Sequence, residues 1–114
     1  MIKNYIEHAN FKETGFYYTL SLISGKHKPV ILYCLMEFEV VRFNELKRYL
    51  KTVSDKTLSV NLKELEADNL IIRKEYPQIP PKVEYSLTER GKSLVQVLDK
   101  LCVWGEENRL INDR

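Results

Sequence analysis

At 114 residues the chain has room for one compact domain and not for a second independent core. Its hydrophobic and charged fractions, 44% and 30%, are ordinary for a soluble globular protein. No apolar run approaches the ~18 residues of a membrane span, and Met1 to Lys12 holds two lysines but no apolar signal-peptide core, so the expected location is the cytoplasm.

The formal net charge of +2 says less than its distribution. From Arg42 to Lys63 there are six basic residues (Arg42, Lys47, Arg48, Lys51, Lys56, Lys63) against two acidic ones (Glu45, Asp55), while the remaining residues carry 12 basic and 14 acidic side chains. Positive charge gathered on one segment of a nearly neutral chain is the footprint of a polyanion-binding face.

Met1 to Glu13 is polar with scattered apolar residues and reads as an arm. Thr14 can cap a first helix over Phe16 to Ile23, apolar nearly all round, which therefore needs covering on more than one side. Gly25 stops it. Pro29 suits the first turn of a second helix reaching Phe38, which Val30, Ile31, Leu32, Leu35 and Met36 make largely buried. Val40 to Arg42 is a short extended piece. A third helix starts at Phe43 or Asn44, with Phe43, Leu46, Tyr49 and Leu50 on one apolar face.

Ser54 caps a fourth helix, whose buried stripe is Leu58, Leu62 and Leu65. At ~100° per residue the opposite face holds Lys56, Ser59, Val60 and Lys63, with Thr57 beside them. Asp68-Asn69 can end this helix, with Asn69 in a left-handed cap. The period then turns to alternation: Leu70 to Tyr76 and Val83 to Leu87 read as two strands. Three prolines between them predict a stiff, protruding tip. Thr88 caps a last helix with a 3-4 stripe of Leu94, Val97, Leu98, Leu101 and Trp104, and Gly91 falls in its first turns, where glycine costs least.

This order predicts an α+β, mainly α, winged helix-turn-helix domain: two helices joined by Lys51-Thr52-Val53, then a hairpin wing. On the fourth helix, Lys56 and Lys63 can reach phosphates or guanine acceptors. Thr57 and Ser59 can bond to base edges or phosphates, and Val60 can meet a thymine methyl. Arg42, Lys47, Arg48 and Lys51 can clamp the flanking backbone, and the hairpin carries Arg73, Lys74 and Lys82 beside its tip, placed for the minor groove or its phosphates. The expected partner is double-stranded DNA. A winged-helix module that binds only protein is the alternative, since fold does not fix function.

Ile23-Ser24-Gly25-Lys26, Arg42-Phe43-Asn44-Glu45-Leu46, Ser54-Asp55-Lys56-Thr57-Leu58, Leu62-Lys63-Glu64-Leu65-Glu66 and Pro80-Pro81-Lys82-Val83-Glu84-Tyr85-Ser86-Leu87-Thr88-Glu89-Arg90-Gly91 together resemble the HxlR-type winged helix-turn-helix regulators. The resemblance runs from about Thr14 to Gly105. It implies a cytoplasmic bacterial regulator that dimerises and binds an inverted-repeat operator. It further implies a dimer made by the first and last helices, which fits the apolar surplus of Phe16, Tyr17, Leu20 and Ile23 and of Leu94, Val97, Leu98, Leu101 and Trp104. On this reading residues 1–13 are an arm, 14–110 the domain and 111–114 a tail. Three positions depart from the family's pattern. Thr14 stands where several members carry a sensing cysteine, His27 where tryptophan usually follows Gly-Lys, and Asn61 where the recognition helix commonly has arginine.

Cys34 and Cys102 sit in apolar surroundings without a neighbouring cation, which favours packing over reactivity, and their spacing is neither a disulfide framework nor a zinc motif. His8 and His27 have no visible co-ligand. No metal, no cofactor and no catalytic constellation is expected. Tyr17, Tyr18, Tyr33 and Tyr49 are candidates to line an effector pocket, although tyrosine is as much at home in a half-buried interface.

Overall fold

The computed structural model describes residues 5–110; the expected tail at 111–114 lies outside them. Local signals set most boundaries. The Thr14 hydroxyl donates to the Phe11 carbonyl (2.7 Å) and accepts from the Tyr17 amide (3.0 Å), opening α1, Gly15–Leu22. Gly25 then turns the chain with φ +90°, a conformation that suits glycine. Next come α2 (Lys28–Phe38), with Pro29 in its first turn, β1 (Val41–Arg42) and α3 (Phe43–Leu50). Ser54 accepts from the Thr57 amide at 3.1 Å and opens α4 (Asp55–Ala67), which Asn69 closes in the expected left-handed conformation, φ 58°. The strands β2 (Ile71–Tyr76) and β3 (Lys82–Leu87) lead to α5 (Glu89–Asn108), capped by Thr88.

The sheet is antiparallel in the order β1-β3-β2, with Val41 opposite Tyr85 and Ile71 opposite Leu87. Alternation along β2 and β3 turns Ile71, Tyr85 and Leu87 inward. They meet Ile31, Leu32 and Leu35 of α2, Leu46 of α3 and the Leu58, Leu62 and Leu65 stripe of α4. Burying each such side chain contributes roughly 1.5–3 kcal/mol, so α4 is fixed by its inner face and its outer face is left to solvent.

Three expectations change. The arm is not wholly separate: Phe11–Glu13 forms a short 3-10 turn, and the Phe11 ring packs on Phe16 and Tyr17 at 5.9 and 5.6 Å between centroids. Gly91 is more than a tolerated glycine, because a Cβ there would collide with the Leu70 carbonyl oxygen. And the apolar stripe of α5 is two stripes. Val95 and Leu98 are buried against the core and Cys102 meets Tyr33 of α2, whereas Val97, Leu101 and Trp104 point outward. Leu98, expected at the dimer interface, thus belongs to the subunit's own core, and Leu94 packs half-buried against it.

None of the residues of α1 is buried. The radius of gyration, 17.2 Å, exceeds the ~13 Å of a globular chain this long. The chain is elongated, 61 × 38 × 25 Å, and α5, with 20 residues, spans about 30 Å.

Candidate nucleic-acid interface

Because Leu58, Leu62 and Leu65 turn one face of α4 into the core, the positions opposite them are presented together. Lys56, Thr57, Val60 and Lys63 are exposed and Ser59 is half-buried. Among the described residues, no carboxylate lies within ion-pair distance of Lys56 or Lys63. Their charge is free for an outside partner. The Thr57 hydroxyl accepts from Ser54 at 3.0 Å and so belongs partly to the cap. Asn61, at the family's arginine position, turns its amide back onto the Thr57 carbonyl (2.8 Å) and is spent within the helix.

The expected backbone clamp divides. Arg42, Arg48 and Lys51 are exposed, and no carboxylate among the described residues is within ion-pair distance of them. Arg42 and Arg48 border one cleft with Lys82 and Pro81 of the wing, of about 630 Å³. Lys47 is instead paired with Asp55 across the helix-turn-helix turn, so its charge joins α3 to α4. The capping bond of α3 runs from the Arg42 amide to the Glu45 carboxylate, 2.8 Å.

Lys51 has a feature the sequence does not announce. Its backbone lies at φ 70°, ψ −54°, and the Thr52 amide donates to the Leu50 carbonyl at 2.8 Å. This is a one-residue γ-turn of the rare, strained kind. Glu39 makes the same turn at the end of α2, with Val40 donating to Phe38 at 2.7 Å. The turn of the helix-turn-helix is therefore a strained lysine rather than a glycine.

In the wing, Tyr76 pairs opposite Lys82 and the tip is Pro77–Pro81, with Ile79 fully exposed. The ammonium groups of Lys74 and Lys82 flank the Tyr76 ring at 5.0 and 4.6 Å. The Tyr76 hydroxyl donates to Glu84 at 2.9 Å, and Lys82 lies 3.4 Å from the same carboxylate. These contacts, the Tyr76 hydrogen bond first, hold Glu84 below the usual carboxylate range. Arg73 is likewise paired, with Glu75 at 3.0 Å. Wing charge is thus largely committed within the hairpin, Lys74 alone among its cations having no carboxylate partner.

The four tyrosines do not gather around one cavity. Tyr17 meets Phe11, Tyr18 accepts from Arg90, Tyr33 meets Cys102 and Tyr49 meets Phe38. Burial pushes the Cys34 thiol up to about 11, with Glu45 and Glu37 adding to the effect. At neutral pH it stays protonated and a poor nucleophile. Thr14, where the resemblance would place a sensing cysteine, caps α1. Among the described residues no His, Cys, Asp and Glu cluster could hold a metal ion, and no described helix is long and apolar enough to cross a membrane.

Known proteins share this arrangement. The family model for HxlR-like helix-turn-helix proteins matches residues 22–112. An HTH-type transcriptional regulator of Halalkalibacterium halodurans is 58% identical over 100 residues, 88% of this chain and 88% of that protein. A regulatory protein of Fusobacterium mortiferum, MalR, is 50% identical over 103 residues, 90% of this chain and 97% of its own. Among solved structures, the redox regulator HypR in its reduced form superposes with a TM-score of 0.80 at 41% identity, covering 84% of this chain and 94% of HypR. The chain belongs to the HxlR-like helix-turn-helix family and is a DNA-binding transcriptional regulator with a winged-helix fold.

Proposed function

We propose that this regulator works in the cytoplasm, by binding rather than catalysis, as a homodimer on an inverted-repeat operator. In each subunit α4 enters the major groove, where Lys56, Thr57, Ser59, Val60 and Lys63 meet bases and phosphates. Arg42, Arg48 and Lys51 hold the flanking backbone, and Lys74 and Lys82 bring the wing to adjacent DNA. Residues 14–110 act as one unit, with Phe11 attached to it. The observation that carries this reading is the outer face of α4: two lysines without an anionic partner beside an exposed valine, on a helix whose inner face is immobilised.

Dimerisation is supported by the surface that the subunit leaves uncovered. Phe16, Leu101 and Trp104 are 65%, 64% and 67% exposed, on the two helices expected to pair. Apolar side chains this large and this exposed on α1 and on α5 mark interaction surfaces. Two copies related by a two-fold axis present their α4 helices to half-sites about one helical turn, ~34 Å, apart.

Fluorescence anisotropy of the purified protein with duplex from upstream of its own gene, against unrelated duplex at two salt concentrations, tests the reading. Sequence-selective binding with a steep salt slope is the expected result. Equal, weak binding to both duplexes at low salt would overturn it and favour a protein partner.

A further inference from the structure

One cation of the molecule stands where elementary electrostatics argues against it. Lys28 is 7% exposed and occupies the first residue of α2, at the positive end of a helix dipole. Burying an ammonium group there carries a desolvation penalty and a dipole penalty together. What offsets them is a carboxylate on another element: the Glu64 oxygen of α4, 2.8 Å from the Lys28 nitrogen. At ~100° per residue Glu64 lies on the flank of α4, between the buried leucine stripe and the face that carries Lys56, Val60 and Lys63.

A second cation grips the same helix at its end. Arg90 of α5 donates through Nε to the Asp68 carbonyl that closes α4 (3.1 Å) and through Nη2 to the Tyr18 hydroxyl of α1 (2.7 Å). The leucine stripe sets which face of α4 turns inward, but apolar packing is non-directional and leaves the last small rolls and slides of the helix undetermined. Two charged contacts, one on its flank and one at its terminus, remove that freedom. With Glu64 half exposed, the pair adds little stability, and the best-attested use of such a charged contact is to fix one arrangement among several.

We propose that Lys28 and Arg90 are positioning residues for sequence recognition. Neither reads DNA; each holds α4 at the roll and height from which its outer face meets base edges, and Arg90 ties that pose to α1. The inference rests on α4 being the reading helix. Its signature differs from a lost DNA contact, because discrimination falls while phosphate contacts, and so the salt slope, stay the same.

The test uses an operator selected from random-sequence duplexes with the wild-type protein, and a scrambled duplex of equal length. Lys28→Met, Glu64→Gln and the exchanged pair Lys28→Glu with Glu64→Lys are compared, each checked for folded, dimeric state. The exchange suits both helix dipoles better than the native order, since it puts the anion at the start of α2 and the cation nearer the end of α4. Lys28→Met is expected to lower the ratio of selected-site to scrambled-site affinity by about tenfold, with scrambled-site affinity and salt slope unchanged. The exchanged pair should restore the ratio, and Arg90→Lys, which cannot make both bonds as a planar fork does, should lower it.

Should Lys28→Met not fold, Glu64→Gln decides, because it removes the charge that holds Lys28 at a side chain that is half exposed, and it is expected to lower the same ratio. An unchanged ratio in a folded variant overturns the proposal, as does a salt slope reduced by one charge, which would make Lys28 a phosphate contact. Failure of the underlying reading looks different: the wild-type protein would select no site, or Lys63→Ala would leave its affinity intact.

Discussion

The molecule exposes two large surfaces that chemistry sets apart. One, at the start of α3 and on α3 and α4, is cationic: Arg42, Arg48, Lys51, Lys56 and Lys63 stand in water, with no carboxylate of the described residues within ion-pair distance. The other, on α1 and on the outer side of α5, is apolar: Leu20, Val97, Leu101 and Trp104 are exposed, and Phe16 stays exposed although Phe11 packs on it. Both are unfinished in the single chain, and each specifies a different completing partner. The cationic face calls for a polyanion and will weaken with salt through counterion release. The apolar face calls for another apolar face, and the dimer proposed above is expected to hold or tighten in salts that strengthen burial. A regulator built this way separates assembly from recognition by their response to ionic strength.

The largest expected effect comes from breaking the apolar side. Leu101→Asp with Trp104→Asp places two charges where the proposed partner helix packs. Gel filtration should show a monomer of unchanged helicity, because neither side chain belongs to the core. Operator affinity should fall about a hundredfold, since a dimer gains its second half-site as a linked event. A variant that stays dimeric would place the interface elsewhere.

Breaking the cationic side is a smaller and graded effect. Lys63→Ala should lower the slope of log affinity against log salt by about 0.9 and leave the dimer intact. Between roughly 50 and 200 mM salt that difference amounts to about threefold in affinity per lost contact. Lys82→Ala is expected to change the slope less than Lys63→Ala, because Lys82 already neutralises Glu84 and must exchange one anion for another. Equal slopes for the two variants would mean that the wing sheds its internal pairs on binding.

The same comparison shows how much was legible beforehand. The cationic face was open to local rules. Ser54 announces a cap, Leu58, Leu62 and Leu65 set the phase of α4, and that phase dictates which residues face outward; the observed helix agrees within one residue at its start. The apolar face was blurred. In α5 the 3-4 pattern runs through two stripes at once, so Leu98 looked like its outward neighbours until packing against α2 separated them and brought Val95 inward. Long-range electrostatics was hidden altogether. Nothing local marks Lys28, and only the fold brings Glu64 to it. Lys47 looks free until Asp55 claims it, and Gly91 looks optional until the Leu70 carbonyl arrives.

The smallest effect separates fold stability from binding at a single residue. Lys51 holds a positive-φ turn that is strained for any side chain with a Cβ. Lys51→Gly relieves that strain but frees the unfolded chain, so a net gain of about 0.5–1 kcal/mol in folding stability is expected, read as a raised denaturant midpoint with the same m-value. The variant also removes an unpaired cation from the backbone clamp, so operator affinity should fall and the salt slope should drop by up to about 0.9. Stability and affinity would then move in opposite directions. That outcome accounts for a lysine where glycine fits better: the turn is kept strained because its side chain is needed at the phosphate backbone. If both fall together, the γ-turn is worth more to the fold than its geometry indicates, and Lys51 belongs with the structural residues of the turn rather than with the DNA-facing cations.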